Sequence, residues 1–334
     1  MIKKIDVAQL ISFVQEHLMI DVRTPAEFAH GHIPGAQNIP LFSDEERVVI
    51  GTAYKQQGKD QAMLIALDSI GPRMRQLLEA VEKHGQSYQS KKVIVHCARG
   101  GMRSASFAWL VDFFGYEVLL LEGGYKAFRA YTCAALQQQK QIMVLSGPTG
   151  SGKTKVLHAL LAQNEQVLDL EALAQHKGSV FGGLDNRIQP SQEQFENDLA
   201  WAWLQFDAER FIWIEDESKK IGFVHIPEAL WLQMRQAPIV RIHTSDEQRI
   251  AHLCAEYGSY SCKELITCVQ RLEKHLGGAR MQEIIAALSD NDIRQACLLL
   301  LQHYDKRYAY GFSKRAITQL RECSATELLE KPCL

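Results

Sequence analysis

The stretch QIMVLSGPTGSGKTKVLHALL, residues 141–161, restricts the possible folds of this chain more than any other. Its first seven residues read as a buried strand, and KTKVLHALLAQ has the apolar spacing of a helix. Between them, GPTGSGKT satisfies G-x-x-x-x-G-K-T, a loop whose backbone N–H groups wrap a diphosphate at a helix N-terminus. Gly147, Thr149, Gly150, Ser151 and Gly152 are expected to form the cradle. Lys153 would bind the outer oxygens, and the Thr154 hydroxyl would be offered to magnesium. The motif does not show whether the diphosphate belongs to a nucleotide.

Other strand signals place the loop in an α/β protein. MIDVR (19–23), KVIVHC (92–97) and EVLLLEGG (117–124) read as strands before it, and VLDLE (167–171), FIWIEDE (211–217) and PIVRIHTS (238–245) after it. Thr24-Pro25-Ala26-Glu27 is a capping box with proline at the first helical position. At 334 residues the chain exceeds one ordinary core. The glutamine-rich LQQQK, 136–140, is expected to be a linker between a first domain, 1–135, and a phosphate-loop domain, 141–259. Residues 260–334 are expected to form a helical extension, with LLLLQHY (298–304) its most buried stretch.

Four acids fall where α/β sheets place ligands and metal partners: Asp169 and Glu171 after one strand, Glu215 and Asp216 after another. Glu215 or Asp216 would be the second magnesium anchor, although each acid suits a helix cap or an ion pair equally well. HKGSVFGG (176–183) reads as a binding loop whose ligand its composition does not identify.

The second chemical feature is HCARGGMRS, 96–104. Cys97 ends a strand, and SASFAWLVDFF after Arg103 has helical spacing, so residues 97–103 form a loop entering a helix N-terminus. Such a loop turns N–H groups inward as an anion nest, in which Arg99, Gly100, Gly101 and Arg103 would hold the ligand. A thiol at its base is expected to ionise below the ordinary cysteine range. Together IDVRTPAEFAHGHIPGAQNIP (20–40), HCARGGMRS and LEGGYKAFR (121–129) resemble a rhodanese domain over roughly residues 1–135. That resemblance implies a chalcogen carried on Cys97, with Asp21, Arg23 and Glu27 bracing the fold. The spacing C-x5-R is one residue longer than the usual sulfurtransferase loop and similar to that of rhodanese-like phosphatases.

The order of the two domains, with YKQQGKDQAM (54–63), LDLEALAQHKGSVFG (168–182), IEDESKKIG (214–222) and YDKRYAYG (304–311), resembles the tRNA 2-selenouridine synthase family. The resemblance implies a rhodanese-like sheet fused to a P-loop NTPase-like domain and a transferase acting on 2-thiouridine at the tRNA wobble position. Geranyl diphosphate would first alkylate the sulfur. Selenium from selenophosphate, carried as a perselenide on Cys97, would then replace the S-geranyl group. The implied partners are tRNA and the enzyme that supplies selenophosphate, with no firmly bound cofactor. Two other readings remain open: a C-x5-R phosphatase or thiosulfate-type sulfurtransferase fused to an NTPase, and a non-catalytic scaffold.

The formal net charge of −2 argues against nucleic-acid binding by bulk attraction, so an RNA would meet local clusters. These are Lys91-Lys92, Lys219-Lys220, Lys306-Arg307 and Lys314-Arg315, with Trp201, Trp203, Phe206 and Tyr308 as candidate stacking rings. Eight cysteines without a CxxC pair suit free thiols in a reducing cytosol rather than zinc. Polar residues interrupt every apolar run of the N-terminus, so a soluble, cytoplasmic protein without a membrane span is expected.

Overall fold

The computed structural model describes residues 2–13, 16–185, 187–315 and 319–332. The chain divides into two compact units, Met1–Ala135 and Leu136–Leu334.

The first unit holds strands β1 (Ile2–Ile5), β2 (Leu18–Asp21), β3 (Gln37–Asn38), β4 (Lys92–His96) and β5 (Glu117–Leu121). They pair in the order β1-β5-β4-β2-β3, and every pairing is parallel. Parallel neighbours need crossovers, so helices cover the sheet and the central strands become apolar throughout. All four residues of β2 are buried, as are four of the five in β4 and in β5. Thr24 caps the helix Pro25–His30: its hydroxyl accepts from the Glu27 N–H, and the Glu27 carboxylate accepts from the Thr24 N–H.

The second unit adds β6 (Ile142–Ser146), β7 (Gln166–Leu168), β8 (Ile212–Glu215), the hairpin β9 (Lys220–Ile221) and β10 (Val224–His225), β11 (Ile239–His243) and β12 (Leu320–Ser324). Its main sheet runs β12-β11-β6-β8-β7, all parallel. Alternation along β6 separates two cores. Ile142 and Val144 pack with Phe195, Leu199 and Trp203 on one face, while Met143 and Leu145 pack with Val156, Leu157 and Leu160 on the other.

Three expectations change here. The stretch 136–140 belongs to the second unit: Leu136 is buried in its core, and Lys140 Nζ donates to the carbonyls of Trp203 and Phe206 at 2.7 Å each. VLDLE is not one strand, because Asp169 accepts from the Ala172 N–H and starts the helix Leu170–Ala174, which carries Glu171. The region after residue 260 is helical through Ile293–Ser313 and then returns as β12 on the edge of the main sheet. In β12 only Cys323 is buried, so its alternation is too weak to announce a strand. Among the described residues, no helix is long and apolar enough to cross a membrane.

Candidate functional site

Each unit carries one strand-to-helix loop built to face an anion. In the first, β4 ends at His96 and the helix Met102–Phe113 begins five residues after Cys97. Cys97 is 3% exposed, and its Sγ lies 3.1 Å from Ser104 Oγ. Burial pushes this thiol up, but the Ser104 hydroxyl and the backbone N–H groups of Arg99, Ser104 and Gly101 outweigh it and hold the thiol below its ordinary value. The ionised form is therefore stabilised mainly by fixed dipoles. Ser104 was not singled out from sequence, although HCARGGMRS places it one residue after Arg103, at the first turn of the helix.

The loop is held from behind. Tyr125 and Lys126 donate their N–H groups to the carbonyls of Cys97 and Ala98 at 2.9 Å each. Gly124, at φ +57°, leaves no room for a side chain, since a Cβ there would collide with the Cys97 carbonyl and lie 2.6 Å from the Gly100 nitrogen. Asp21 and Arg23 form a buried ion pair at 2.6 Å, and the Arg23 guanidinium lies 3.8 Å from the centre of the Tyr125 ring. Arg103 gives two hydrogen bonds to Glu27, at 2.6 and 3.1 Å, while Arg99 is exposed. A guanidinium has further N–H donors, so Arg103 can brace the loop and still face an anion.

In the second unit, Gly147, Thr149, Gly150, Gly152, Lys153 and Thr154 line a cavity of about 1240 Å³. The left-handed backbone at Gly150 (φ +79°) and Gly152 (φ +83°) makes the nest, and the first-turn N–H groups of Lys153–Ala162 complete it. Ser151 is buried, and its Oγ has no hydrogen-bond partner among the described residues. The helix Asp246–Tyr257 clamps the loop: Arg249 Nε donates to Thr149 O at 2.9 Å, and His252 Nδ1 lies 3.0 Å from Gly150 O. Arg249 is in turn bound by Asp246 and Asp305. This clamp carries no motif of its own and was missed from sequence.

Lys153 Nζ donates to Gly147 O at 3.0 Å and lies 3.5 Å from Glu215 Oε1. Thr154 Oγ1 is 3.4 Å from Glu215 Oε2. Carboxylate oxygens of Glu171, Glu215 and Glu217 all lie within 4.8 Å of one another. Burial, then the charges of Glu215 and Glu217, push the Glu171 carboxyl up to about 9; burial and Glu215 push Glu217 up to about 7. Three crowded carboxylates beside a hydroxyl are an all-oxygen donor set that suits magnesium.

The acids expected from sequence thus separate. Glu171 and Glu215 meet beside the phosphate loop with Glu217, which was not anticipated. Asp216 lines the same cavity but stands outside this group: it binds Arg315 and accepts from Ser146 Oγ at 2.8 Å. Asp169 is a helix cap, 3.3 Å from His158 Nε2. The HKGSVFGG loop lies over the acid cluster at Gly178, with Lys177 bound to Glu256 and Asp185. Of the candidate stacking rings, Trp203 is fully buried and Phe206 packs on the same core. Tyr308 lines the cavity, with its Oη 3.0 Å from Ser146 Oγ and its ring under Arg241. Arg315 is buried and Lys219 is paired with Glu228, which removes half of two basic clusters.

Comparison with known proteins agrees with this division. Residues 6–131 match the rhodanese-like domain, and residues 140–331 match the tRNA 2-selenouridine synthase AAA domain. The chain is 35% identical to the tRNA 2-selenouridine synthase of Nitrosomonas europaea, over 91% of each chain. It is 34% identical to the tRNA 2-selenouridine synthases of Shewanella denitrificans and Marinobacter nauticus, in each case over 91% of this chain and 90% of the relative. With an ionisable thiol in a rhodanese-like loop, a G-x-x-x-x-G-K-T loop in the second unit and relatives matched over nearly its whole length, this chain belongs to the tRNA 2-selenouridine synthase family.

Proposed function

We propose that this chain converts 2-thiouridine at the tRNA wobble position into 2-selenouridine in two steps, one at each anion cradle. Support comes from the activity for which its relatives are named and from one contrast. The first cradle has an ionisable thiol at its base, whereas the phosphate loop sets a lysine and carboxylates around its cradle and has no cysteine between Gly147 and Thr154. A cradle of the second kind holds a leaving group rather than attacking it.

In the first step the phosphate loop grips geranyl diphosphate. The thiocarbonyl sulfur attacks C1, the C1–O bond breaks, the diphosphate leaves with its electron pair, and the base releases its N3 proton. Lys153 and the loop N–H groups meet the charge that develops on the leaving oxygens. Magnesium held by Glu171, Glu215, Glu217 and Thr154 would supply further charge neutralisation there.

In the second step the Cys97 loop N–H groups, Arg99 and Arg103 hold the phosphoryl group of selenophosphate while the Cys97 thiolate attacks phosphorus; the P–Se bond breaks and selenide leaves with its electron pair. A perselenide on Cys97 would need a two-electron oxidant to form from selenide-level selenium and a reductant to release it. The selenide adds to C2 of the S-geranyl base, the C–S bond breaks, a C=Se bond forms, and geranylthiol departs with a proton. Water hydrolyses the phosphocysteine, so net exchange consumes selenophosphate and water, releases phosphate and involves no net oxidation.

The test is mass spectrometry of tRNA nucleosides from cells lacking the chain. Both geranylated and selenated wobble uridine are expected to be absent. Reintroducing Cys97→Ser should restore the geranylated form alone, and Lys153→Ala should restore neither. Full selenation by Cys97→Ser would refute the assignment.

A further inference from the structure

The cavity at the phosphate loop does not end at the loop. One face of the helix Ile293–Ser313 lines it along almost the whole helix. From Ile293 to Tyr304 the lining positions on this helix are Ile293, Ala296, Cys297, Leu300, Leu301 and Tyr304, spaced by three and four residues as one stripe requires. Leu253, Leu265, Leu272 and Leu288 face the same space from three other helices and the turn between them. The stripe starts at the cradle itself: Asp305 binds the Arg249 that holds Thr149, and a Cβ placed on Gly150 would lie 3.1 Å from Leu253 Cγ.

The cavity therefore has a charged end, at Lys153 and the three glutamates, and an apolar arm leading away from it. Ile293 to Tyr304 spans about 16 Å of helix, enough to run beside a ten-carbon isoprenoid. A nucleobase would need donors and acceptors at its edge, and the stripe offers the weakly bonding Cys297 thiol and the Tyr304 hydroxyl, which is buried without a hydrogen-bond partner among the described residues.

We infer that this arm is the channel for the isoprenoid chain of the diphosphate, and that Leu300 gauges chain length. The inference rests on the reading that the phosphate loop holds a prenyl diphosphate. Leu300 is half-buried on the cavity wall, two turns from Ile293 and one from Tyr304, so its side chain meets the middle of an extended chain.

The experiment uses the full-length protein and a 2-thiouridine anticodon stem-loop RNA, with geranyl or farnesyl diphosphate as donor. Inorganic diphosphate binding, measured by calorimetry, reports on the cradle alone. The wild-type chain should transfer geranyl and bind geranyl diphosphate at least about tenfold more tightly than inorganic diphosphate. Leu300→Trp should lower geranyl transfer at least about tenfold, with inorganic diphosphate affinity within about twofold of wild type. Leu300→Ala, which opens space without filling the core, should raise the farnesyl-to-geranyl ratio about tenfold. If both variants bind inorganic diphosphate normally and keep wild-type transfer and chain preference, the channel assignment is overturned while the prenyl reading stands. If the wild-type chain transfers no prenyl group, the reading fails and the channel with it.

Discussion

The Cys97 loop and the phosphate loop solve the same backbone problem with different side chains. Both follow a buried parallel strand, both lead into a helix N-terminus, and both rely on glycine to bring backbone close to a ligand. The first surrounds a sulfur atom with N–H donors and a hydroxyl and commits its arginine to Glu27. The second lines a cavity with N–H donors and sets Lys153 against three glutamates. Backbone geometry suits an anion in each loop; in the proposed reaction the side chain at the base decides whether the anion is attacked or only held.

The sharpest break between the two loops comes from their reactive residues. With purified protein and a pre-geranylated stem-loop RNA, Cys97→Ser should lower selenium transfer by at least about a thousandfold. Its geranyl transfer to 2-thiouridine should stay within about twofold of wild type. Lys153→Ala should give the reciprocal pattern, with geranyl transfer down about a hundredfold and selenium transfer to pre-geranylated RNA retained. Both rates are read by nucleoside mass spectrometry over time, and coincident losses in the two variants would dissolve the contrast.

A smaller effect separates the two backbones. Gly124→Ala puts a Cβ into the Cys97 carbonyl at a left-handed position and should cost more than about 2 kcal/mol. At Gly152 a Cβ would meet only the His252 side chain, at 3.3 Å, so Gly152→Ala should cost about 1–2 kcal/mol, the left-handed strain alone. Urea unfolding of each variant measures the difference. Equal losses would show that the Cys97 loop is no tighter than the phosphate loop.

The smallest effect is on pH dependence. Burial would raise the Glu27 carboxyl, but Arg103 and the Thr24 N–H hold it at about 2, below the ordinary 4.5. A depressed folded-state value stabilises the protein fully above pH 4.5, and that stabilisation is lost as pH falls from 4.5 through about 2. Glu27→Gln should remove about 1 kcal/mol at neutral pH, after discounting for solvent exposure. The gap from wild type should close between pH 4.5 and 2 in urea titrations. A gap that stays constant with pH would place the Glu27–Arg103 contact outside the charge balance of the loop.

What could be read from sequence differs between the loops for a physical reason. Both strand-to-helix loops and six of the strands were legible to within a few residues, because glycine spacing and continuous apolar runs are local signals. Glu217 was not, since the cluster it joins is assembled by β8 and the helix Leu170–Ala174 from distant parts of the chain. Sequence left Glu215 and Asp216 as equal candidates, because the Arg315 that pairs with Asp216 lies about a hundred residues away and no periodicity announces the pair. The clamp of Arg249 and His252 on the phosphate loop, and of Tyr125 and Lys126 on the Cys97 loop, are tertiary contacts of the same kind. β12 escaped notice because an edge strand with one buried residue carries almost no pattern.

The most direct test of the two-step account is to supply purified full-length protein with 2-thiouridine stem-loop RNA and selenophosphate while withholding every isoprenoid donor. The account predicts no 2-selenouridine until geranyl diphosphate is added, with the S-geranyl nucleoside appearing first and then decaying. Selenouridine formed in the first mixture would contradict it.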